Sequence, residues 1–323
     1  MIDIQRWRDI QKKVAFKGDY DENLALPNEL FKKLVDLVKE GKLKSSHIGF
    51  TYSYIYLQTY MYRYAKYGYS VPTAAEIKAI LGYSESNKQV DYIIKKNGLL
   101  EQEGILLTTN DFPTVVQYDE EEKFVISTIG QLDYAKEFRE AKGLTKNQYC
   151  KYPVFGYHST YEGYLDGESY DGTFFYSERT HIIEFKAFAF CMANEAIGVN
   201  GFYLYCYIKH KNDTYRDDYK VTAKRLSQET TFSERSIKRY LDGLRSYRVV
   251  DTTHEQEFFV IGLYDSSKRK ASGHYANKYA YFSWDRVLYE KLKPITLEKY
   301  KELKQRRQKQ ASDGLDNLFA DQY

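Results

Sequence analysis

The residues between Thr222 and Arg248 carry the strongest chemical signal in the chain. Eight Lys and Arg residues stand against three Asp and Glu residues between Lys220 and Arg248, although the whole chain has a formal net charge of only +3. A local excess of cations of this size attracts a phosphate backbone. The alternative interpretation is an ordinary amphipathic helical hairpin with a solvated basic face.

Two short helices joined by a tight turn are predicted to position these cations. Thr222 and Ser233 are the expected N-caps, because their hydroxyls can accept from the free N–H groups of a first helical turn. In the second helix Ile237, Leu241 and Leu244 follow an i, i+4, i+7 spacing, which places them on one buried face. The opposite face carries the cations Arg235, Lys238, Arg239 and Arg245.

This segment resembles the helix-turn-helix of winged-helix DNA-binding proteins, in the pattern Ala223-x-x-Leu226 and Ser233-x-x-x-Ile237-x-x-x-Leu241-x-x-Leu244. The resemblance implies that the second helix is exposed for binding to duplex DNA, where arginine pairs with guanine. Two cations of the first helix are then expected to clamp phosphates. The DNA-contacting residues expected here are Lys224, Arg225, Ser233, Arg235, Ser236, Lys238, Arg239 and Arg245.

The sequence after these helices predicts a β-hairpin wing. The apolar runs 258–261 and 279–282 are expected to be its strands, and the polar turn 265–273 its tip. In a winged helix such a tip lies beside the recognition helix and contacts backbone or minor groove, which adds affinity but little sequence information. The cations expected at the tip are Lys268, Arg269 and Lys270.

A similar pattern lies earlier, from Thr73 to Leu100, and predicts a second helix-turn-helix. Thr73-x-x-Glu76 is a capping box, and a further helix is expected to begin at Ser84 or Ser86. Thr73 stands 149 residues before Thr222, which indicates a diverged internal repeat. The match slips inside the second helices, so either the earlier helix is shorter by most of a turn or the repeat is convergent. The residues expected on the outer face of the further helix are Asn87, Lys88, Gln89 and Lys95. The side-chain amides of Asn87 and Gln89 either bind adenine edges or are solvated polar groups.

The Tyr-rich stretch from Phe50 to Tyr69 is predicted to be a helix, in a chain that contains 34 Tyr. Stacking on exposed bases of a single strand is one use of such a helix. A core helix whose hydroxyls are hydrogen-bonded at its edge is the preferred interpretation.

Several classes of protein find no support in the sequence. Three Cys without a C-x-x-C pair indicate neither a disulfide framework nor a Cys-rich zinc site. Nucleotide-binding and metalloprotease motifs are missing, so no catalytic residue, metal or cofactor is expected and the chain is not predicted to be an enzyme. No apolar run approaches the length of a membrane span. The charged N-terminus does not resemble a signal peptide, so a cytoplasmic location is expected.

The fold class predicted is α+β, mainly helical, with two winged-helix domains at 1–130 and 181–283. A Tyr- and Gly-rich connecting region is expected at 131–180, and a C-terminal helix with an acidic tail at 284–323. The cations of 296–310 either clamp phosphates or are a solvated helix end.

The function expected from this organisation is sequence-specific binding of double-stranded DNA. A replication initiator or regulator of a plasmid, phage or mobile element fits, because such initiators often carry paired winged helices. A transcription regulator without a replication role and a replisome-loading adaptor that binds protein are alternatives. A homodimer is a further expectation. The tail segment Leu315–Phe319 weakly resembles the peptides by which bacterial replication proteins dock into a sliding clamp, and a packed or frayed terminus is the alternative.

Overall fold

The computed structural model describes residues 2–14, 23–69, 71–118, 120, 124–154, 179–263 and 270–320, and at 116–118, 124–125 and 311–320 it describes the backbone alone. Within them the chain is α+β, with small sheets between helices. The helices are α1 Ile4–Val14, α2 Glu29–Lys39, α3 Ile48–Arg63, α4 Ala74–Ile80, α5 Asp91–Ile94, α6 Leu99–Gln102, α7 Ala135–Ala141, α8 Phe185–Met192, α9 Gly198–Tyr215, α10 Ala223–Thr230, α11 Glu234–Ser246 and α12 Leu297–Ala320. The strands are β1 Asn23–Pro27, β2 Leu106–Thr109, β3 Pro113–Tyr118, β4 Phe124–Thr128, β5 Cys150–Pro153, β6 Thr180–Glu184, β7 Tyr219–Val221, β8 Val250–Thr253, β9 Phe258–Ile261, β10 Ser272–Ala276 and β11 Lys293–Thr296.

The Tyr-rich helix α3 lies in the core, as the preferred interpretation predicted. All 16 of its residues are buried. Burial raises the pKa of Tyr56 well above its usual value, because an apolar environment disfavours the phenolate. Its hydroxyl instead donates to the carbonyl of Ile183. These rings therefore have no exposed face for stacking on nucleic-acid bases.

The two halves of the chain share this core. Strand β1 pairs antiparallel with β6, and α3 packs along α9. Between them the Tyr52 hydroxyl lies 2.6 Å from Nε2 of His181, whose Nδ1 lies 3.0 Å from Oδ1 of Asn28. Burial lowers the pKa of His181, so the imidazole is neutral and can donate to Asn28 while it accepts from Tyr52. The two predicted domains are thus joined through a buried polar chain as well as through packing.

The order of elements repeats between the halves. A strand and two helices, β1-α2-α3, precede the capped helix α4, and β6-α8-α9 precede the capped helix α10 with the short strand β7 in between. Helices α4 and α10 begin at Ala74 and Ala223, which are 149 residues apart. Both elements of the predicted capping box, Thr73 and Glu76, form the expected reciprocal hydrogen bonds. The order and spacing match the predicted repeat as far as these two helices.

The further helix predicted from Ser84 or Ser86 does not form, which corrects the prediction for the first half. Helix α5 contains only the four residues Asp91–Ile94. The preceding chain turns at Gly82, whose φ is +84°, and the side chain of Asn87 accepts from the backbone N–H of Gln89. Such local side-chain hydrogen bonds satisfy the backbone in a turn and compete with helix formation.

The predicted wing is also wrong in its strands. Residues Tyr279–Tyr281 form a 3₁₀ turn, and β9 pairs in parallel with β11 rather than with 279–282. The hairpin partner of β8 is β10, which also pairs with β7 to give the order β7-β10-β8. Apolar content misled the prediction, because β10 reads Ser-Gly-His-Tyr-Ala while the apolar run 279–282 packs as a turn. Of the predicted connecting region, β5 pairs with β2, and 155–178 lie outside the described residues.

Gly49 allows the close approach of α3 and α9, and this gives a stability prediction. A Cβ at this position would lie 2.8 Å from Cα of Asn200 and 3.0 Å from the carbonyl oxygen of Val199. Because backbone atoms cannot move aside as a flexible side chain can, we expect Gly49→Ala to destabilise the fold by about 1–3 kcal/mol despite the better helix propensity of Ala. Urea denaturation measures the change. Gln228→Ala, on the exposed face of α10, is the control and should be neutral. Equal stability of both variants would mean that the two helices are further apart.

Candidate nucleic-acid interface

Helices α10 and α11 are joined by a tight, capped turn. The Thr222 hydroxyl accepts from the backbone N–H of Arg225, and the Ser233 hydroxyl accepts from that of Ser236. Thr231, in the turn, has a φ of +64°. Both predicted caps are confirmed, and they fix where α11 begins. Ser233 and Ser236 are engaged with each other through these contacts, at the exposed N-terminus of α11.

Helix α11 is anchored by one apolar face. Ile237, Leu241 and Leu244 are buried, as predicted. Gly243 packs against the backbone of Ala196, just before α9, and a Cβ there would lie 3.2 Å from the carbonyl carbon of Ala196. The helix therefore cannot roll without steric conflict, and its outer face is fixed relative to the core.

The outer face of α11 presents three exposed cations, Arg235, Lys238 and Arg239. Among the described residues, neither Arg235 nor Lys238 forms an ion pair. The guanidinium of Arg239 donates to the Tyr240 hydroxyl at 2.9 Å and lies 4.8 Å from that ring's centroid. This contact orients the guanidinium while its remaining N–H groups stay available to an external acceptor.

Arg245 differs from these three cations, because its side chain is held against the sheet. Its Nε donates to the Thr252 hydroxyl at 2.8 Å, and that hydroxyl lies 3.0 Å from Nδ1 of His274. Burial, together with the charge of Arg245, lowers the pKa of His274 to about 3, so the imidazole is neutral and accepts from Thr252. Arg245 thus fastens the end of α11 to β8 and β10.

The two expected phosphate clamps are placed differently. Lys224 is exposed and forms no ion pair within the described ranges. Arg225 donates from Nε to Glu229 at 2.9 Å, and the same carboxylate accepts from the hydroxyls of Tyr207 and Tyr219. Glu229 therefore ties α10 to α9 and β7, and Arg225 would have to leave this carboxylate to bind a phosphate.

The predicted wing tip is only partly described. Lys268 and Arg269 lie outside the described residues. Lys270 is exposed and lies 3.7 Å from Glu255, which also pairs with Lys220 at 2.6 Å. At this base of the hairpin the positive charge is shared with a carboxylate.

The predicted site residues of the first half do not share a helix face. Asn87, Lys88 and Gln89 precede the short helix α5, and Lys95 follows it. Lys88, Gln89 and Lys95 are exposed, whereas the Asn87 oxygen is used by the local turn. A groove-binding helix comparable to α11 is thus missing from residues 71–118.

A cleft of about 740 Å³ opens between α11, the β8–β10 hairpin and the C-terminal helix α12. Its floor is apolar and includes Leu241, Val260 and Leu303, and its rim carries Lys224, Lys238 and Lys304. The sequence placed cations on 296–310, but it gave no sign that the start of α12 would face α11. That placement depends on the parallel pairing of β11 with β9, which no local pattern indicates.

Metal-ligand clusters are missing from the described part of the chain. It contains no group of three or more His, Cys, Asp or Glu side chains that could hold an ion. The three thiols are buried, and burial raises the pKa of Cys191, which disfavours a thiolate. None of the described helices is long and apolar enough to cross a bilayer.

Comparison with known proteins found no matching family model, no similar curated protein and no similar solved structure. The interpretation of the interface therefore rests on the chemistry and geometry of these residues.

The Glu229 cluster generates a pH prediction. Burial opposes ionisation of Glu229, but hydrogen bonds from Tyr219, Arg225 and Tyr207 outweigh it and lower the pKa of the carboxyl. A lowered folded-state pKa gives stability that is present above the unfolded pKa and lost as the pH falls through the folded value. We expect Glu229→Gln to cost about 1–2 kcal/mol at pH 7, with the deficit shrinking below about pH 4.5.

Urea denaturation of the parent and Glu229→Gln between about pH 3 and pH 7 measures this difference, because the loss lies between the unfolded pKa and the lower folded pKa. Glu234→Gln is the matched control, because Glu234 is exposed in the first turn of α11. A stability deficit of Glu229→Gln that stays constant over this range would contradict the assigned role of the carboxylate.

Proposed function

We propose that this chain is a sequence-specific double-stranded DNA-binding protein, in which residues 198–276 form a winged helix and α11 is its recognition helix. The observation that carries the proposal is the fixed, outward cation face of α11. The order helix, strand, two helices and three strands from α9 to β10 supports a winged helix, since β7, β10 and β8 form one sheet while β9 pairs outside it with β11.

The recognition helix has the size and chemistry for a major groove. Its 13 residues span about 20 Å, and a B-DNA major groove of about 12 Å width admits an α-helix. Arg235 and Arg239 are suited to bidentate contacts with guanine, whereas Lys238 suits a phosphate or a single acceptor. Lys224 and Lys270 then contact the backbone.

The first half supplies no comparable helix among its described residues, so each copy of the chain brings one recognition helix in this proposal. A site with two half-sites would then need a homodimer. The N-terminal half holds the DNA-binding half in place through α3 and β1, and its mostly exposed polar turn at 84–89 is available to a protein partner.

The biological role that we propose is replication initiation or regulation for a plasmid, phage or mobile element. A transcription regulator and a replisome-loading adaptor are the alternatives. Footprinting after plasmid or chromatin immunoprecipitation separates them, since repeats near an origin indicate initiation and promoters indicate regulation. The clamp-like segment Leu315–Phe319 lies within α12, where the structure describes only the backbone.

Replacing Arg235, Lys238 and Arg239 together by alanine tests the recognition helix. Because all three side chains are exposed, we expect specific duplex binding to be lost with little change in folding stability. Electrophoretic mobility shifts on a duplex that the parent selects from a randomised pool measure the effect. The matched control removes the exposed cations Arg8, Lys12 and Lys13 of α1, which should leave binding nearly unchanged. Parental affinity in the α11 variant would refute the assignment.

The salt dependence of binding gives a separate test. Because cations displace counterions from phosphates, the logarithm of the parent's affinity should fall linearly with the logarithm of salt concentration, with a slope of about −0.9 for each phosphate contact. Fluorescence anisotropy between about 50 and 300 mM salt measures it. An affinity that does not change with salt would exclude phosphate contacts.

A further inference from the structure

We infer that α12 is a second DNA-binding element, and that the cleft between α11 and α12 takes the phosphate backbone of one strand beside the recognition site. This inference rests on the proposed duplex binding by α11. In this arrangement Lys304 is the cation of α12 that contacts the phosphate backbone.

The chain folds back along α11 before α12 begins. The backbone N–H of Val287 donates to the carbonyl of Ser246 at 2.8 Å, and the Tyr289 hydroxyl donates to Asp242 at 2.8 Å. Strand β11 then pairs with β9, which lies between the hairpin strands β8 and β10 in the chain, and leads directly into α12. The hairpin and α12 are therefore one unit, set opposite α11.

Only one face of α12 lines the cleft. Tyr300, Leu303, Lys304 and Arg307 follow i, i+3, i+4, i+7 and all contribute to its wall. Arg306 is exposed but absent from that wall, because about 200° of helical rotation separates it from Lys304. The helix thus presents cations of equal charge toward the cleft and away from it.

The charges across the cleft call for an anionic occupant. Six Lys and Arg side chains line it, against four Asp and Glu side chains. Three carboxylates and three of these cations are already matched, since Glu257 pairs with Arg307 at 2.7 Å, Asp242 lies 3.8 Å from Arg245, and Glu255 pairs with Lys220 and lies 3.7 Å from Lys270. This leaves Lys224, Lys238 and Lys304 against Glu234. On opposite walls Lys238 and Lys304 form no ion pair with any described residue. Like charges that face each other repel, and a phosphate between them would relieve the repulsion.

The extent of the surface favours a nucleic-acid backbone over a small anion. The cleft is open, with Lys238, Lys304 and Arg307 exposed at its rim, and Lys238 also belongs to the outer face of the recognition helix. The described cations of helix α12 lie between Lys299 and Lys309, over about 15 Å. Further exposed cations lie along it at Lys299, Lys301, Arg306 and Lys309. A polymer with a regular charge repeat can use a surface of this length, whereas small molecules bind in enclosed pockets.

The test compares two charge reversals on the same helix, Lys304→Glu and Arg306→Glu, in the full chain. The DNA is the duplex selected by the parent protein, with about 10 flanking base pairs on each side, roughly one helical turn. Because Lys304 faces the cleft, we expect its reversal to weaken binding about tenfold at 0.1 M salt and to reduce the salt slope by about 0.9. Reversal of Arg306 should change the affinity less than about threefold, because Arg306 lies outside the cleft and charges distant from the DNA are screened by salt. The two variants make the same change of charge sign on different faces of one helix. Circular dichroism confirms that both variants fold.

Two further measurements make the result specific. Lys304→Glu should weaken the selected and a scrambled duplex by the same factor, because phosphate contacts carry no sequence information. Ethylation interference should lose the signal of one or two phosphates flanking the site. Equal affinities of the two reversals, or parental affinity for Lys304→Glu, would overturn the inference.

The triple alanine variant of α11, measured in parallel, distinguishes the two proposals. If it loses binding while Lys304→Glu binds as the parent does, only the role of α12 fails. If Lys304→Glu weakens binding while the α11 variant does not, the recognition helix fails and the α12 contact stands. If the parent chain binds no duplex at all, both the recognition helix and the α12 contact are refuted.

Discussion

The contact between the two aromatic helices α3 and α9 is the interaction on which the other parts of the structure depend. Tyr52 packs on Phe202 and Tyr203 at ring distances between 5.5 and 6.0 Å, and Tyr56 packs on Phe188 and Phe202. Large rings bury much apolar area, yet each hydroxyl needs a partner. For Tyr52 and Tyr56 the partners come from the other half of the chain, at His181 and Ile183. Removing either half would therefore expose apolar surface and leave buried hydroxyls unsatisfied.

This core sets the position of the proposed DNA-binding surface through a short series of contacts. The ring of Tyr203 on α9 meets Phe232 in the turn before α11, and Phe232 meets Tyr240 on α11 itself. Tyr240 in turn carries the guanidinium of Arg239. A side chain that is held before binding loses less conformational entropy when it binds. The aromatic packing thus extends from the centre of the protein to a cation on its surface.

The sequence predicted those features that depend on neighbouring residues. The caps at Thr73, Thr222 and Ser233 and the buried face of α11 were correct, because each follows from hydrogen bonds or spacing within one or two helical turns. The strands of the hairpin were wrong, because β9 finds its partner 35 residues later in β11. A pairing at that separation is chosen by packing in three dimensions and leaves no periodic signal. The helix predicted from Ser84 is absent for a local reason. The side chain of Asn87 accepts from the backbone N–H of Gln89 and satisfies the backbone in a turn.

Fewer cations are available on the surface of the fold than the sequence count suggests, because several of them are paired within the protein. Of the basic residues between Lys220 and Arg248, Lys220 and Arg225 pair with carboxylates and Arg245 is fastened to the sheet. Their charge is partly balanced by these partners, and Arg245, the least exposed of the three, fixes the end of α11. The positive potential is therefore concentrated on the outer face of α11, because the basic residues behind it are already paired. An anion is attracted to this outer face. Basic residues can be counted along a sequence, but only the fold shows which of them are paired and which remain available to an anion. The fold also brings the start of α12, far away in sequence, to the same cleft as α11.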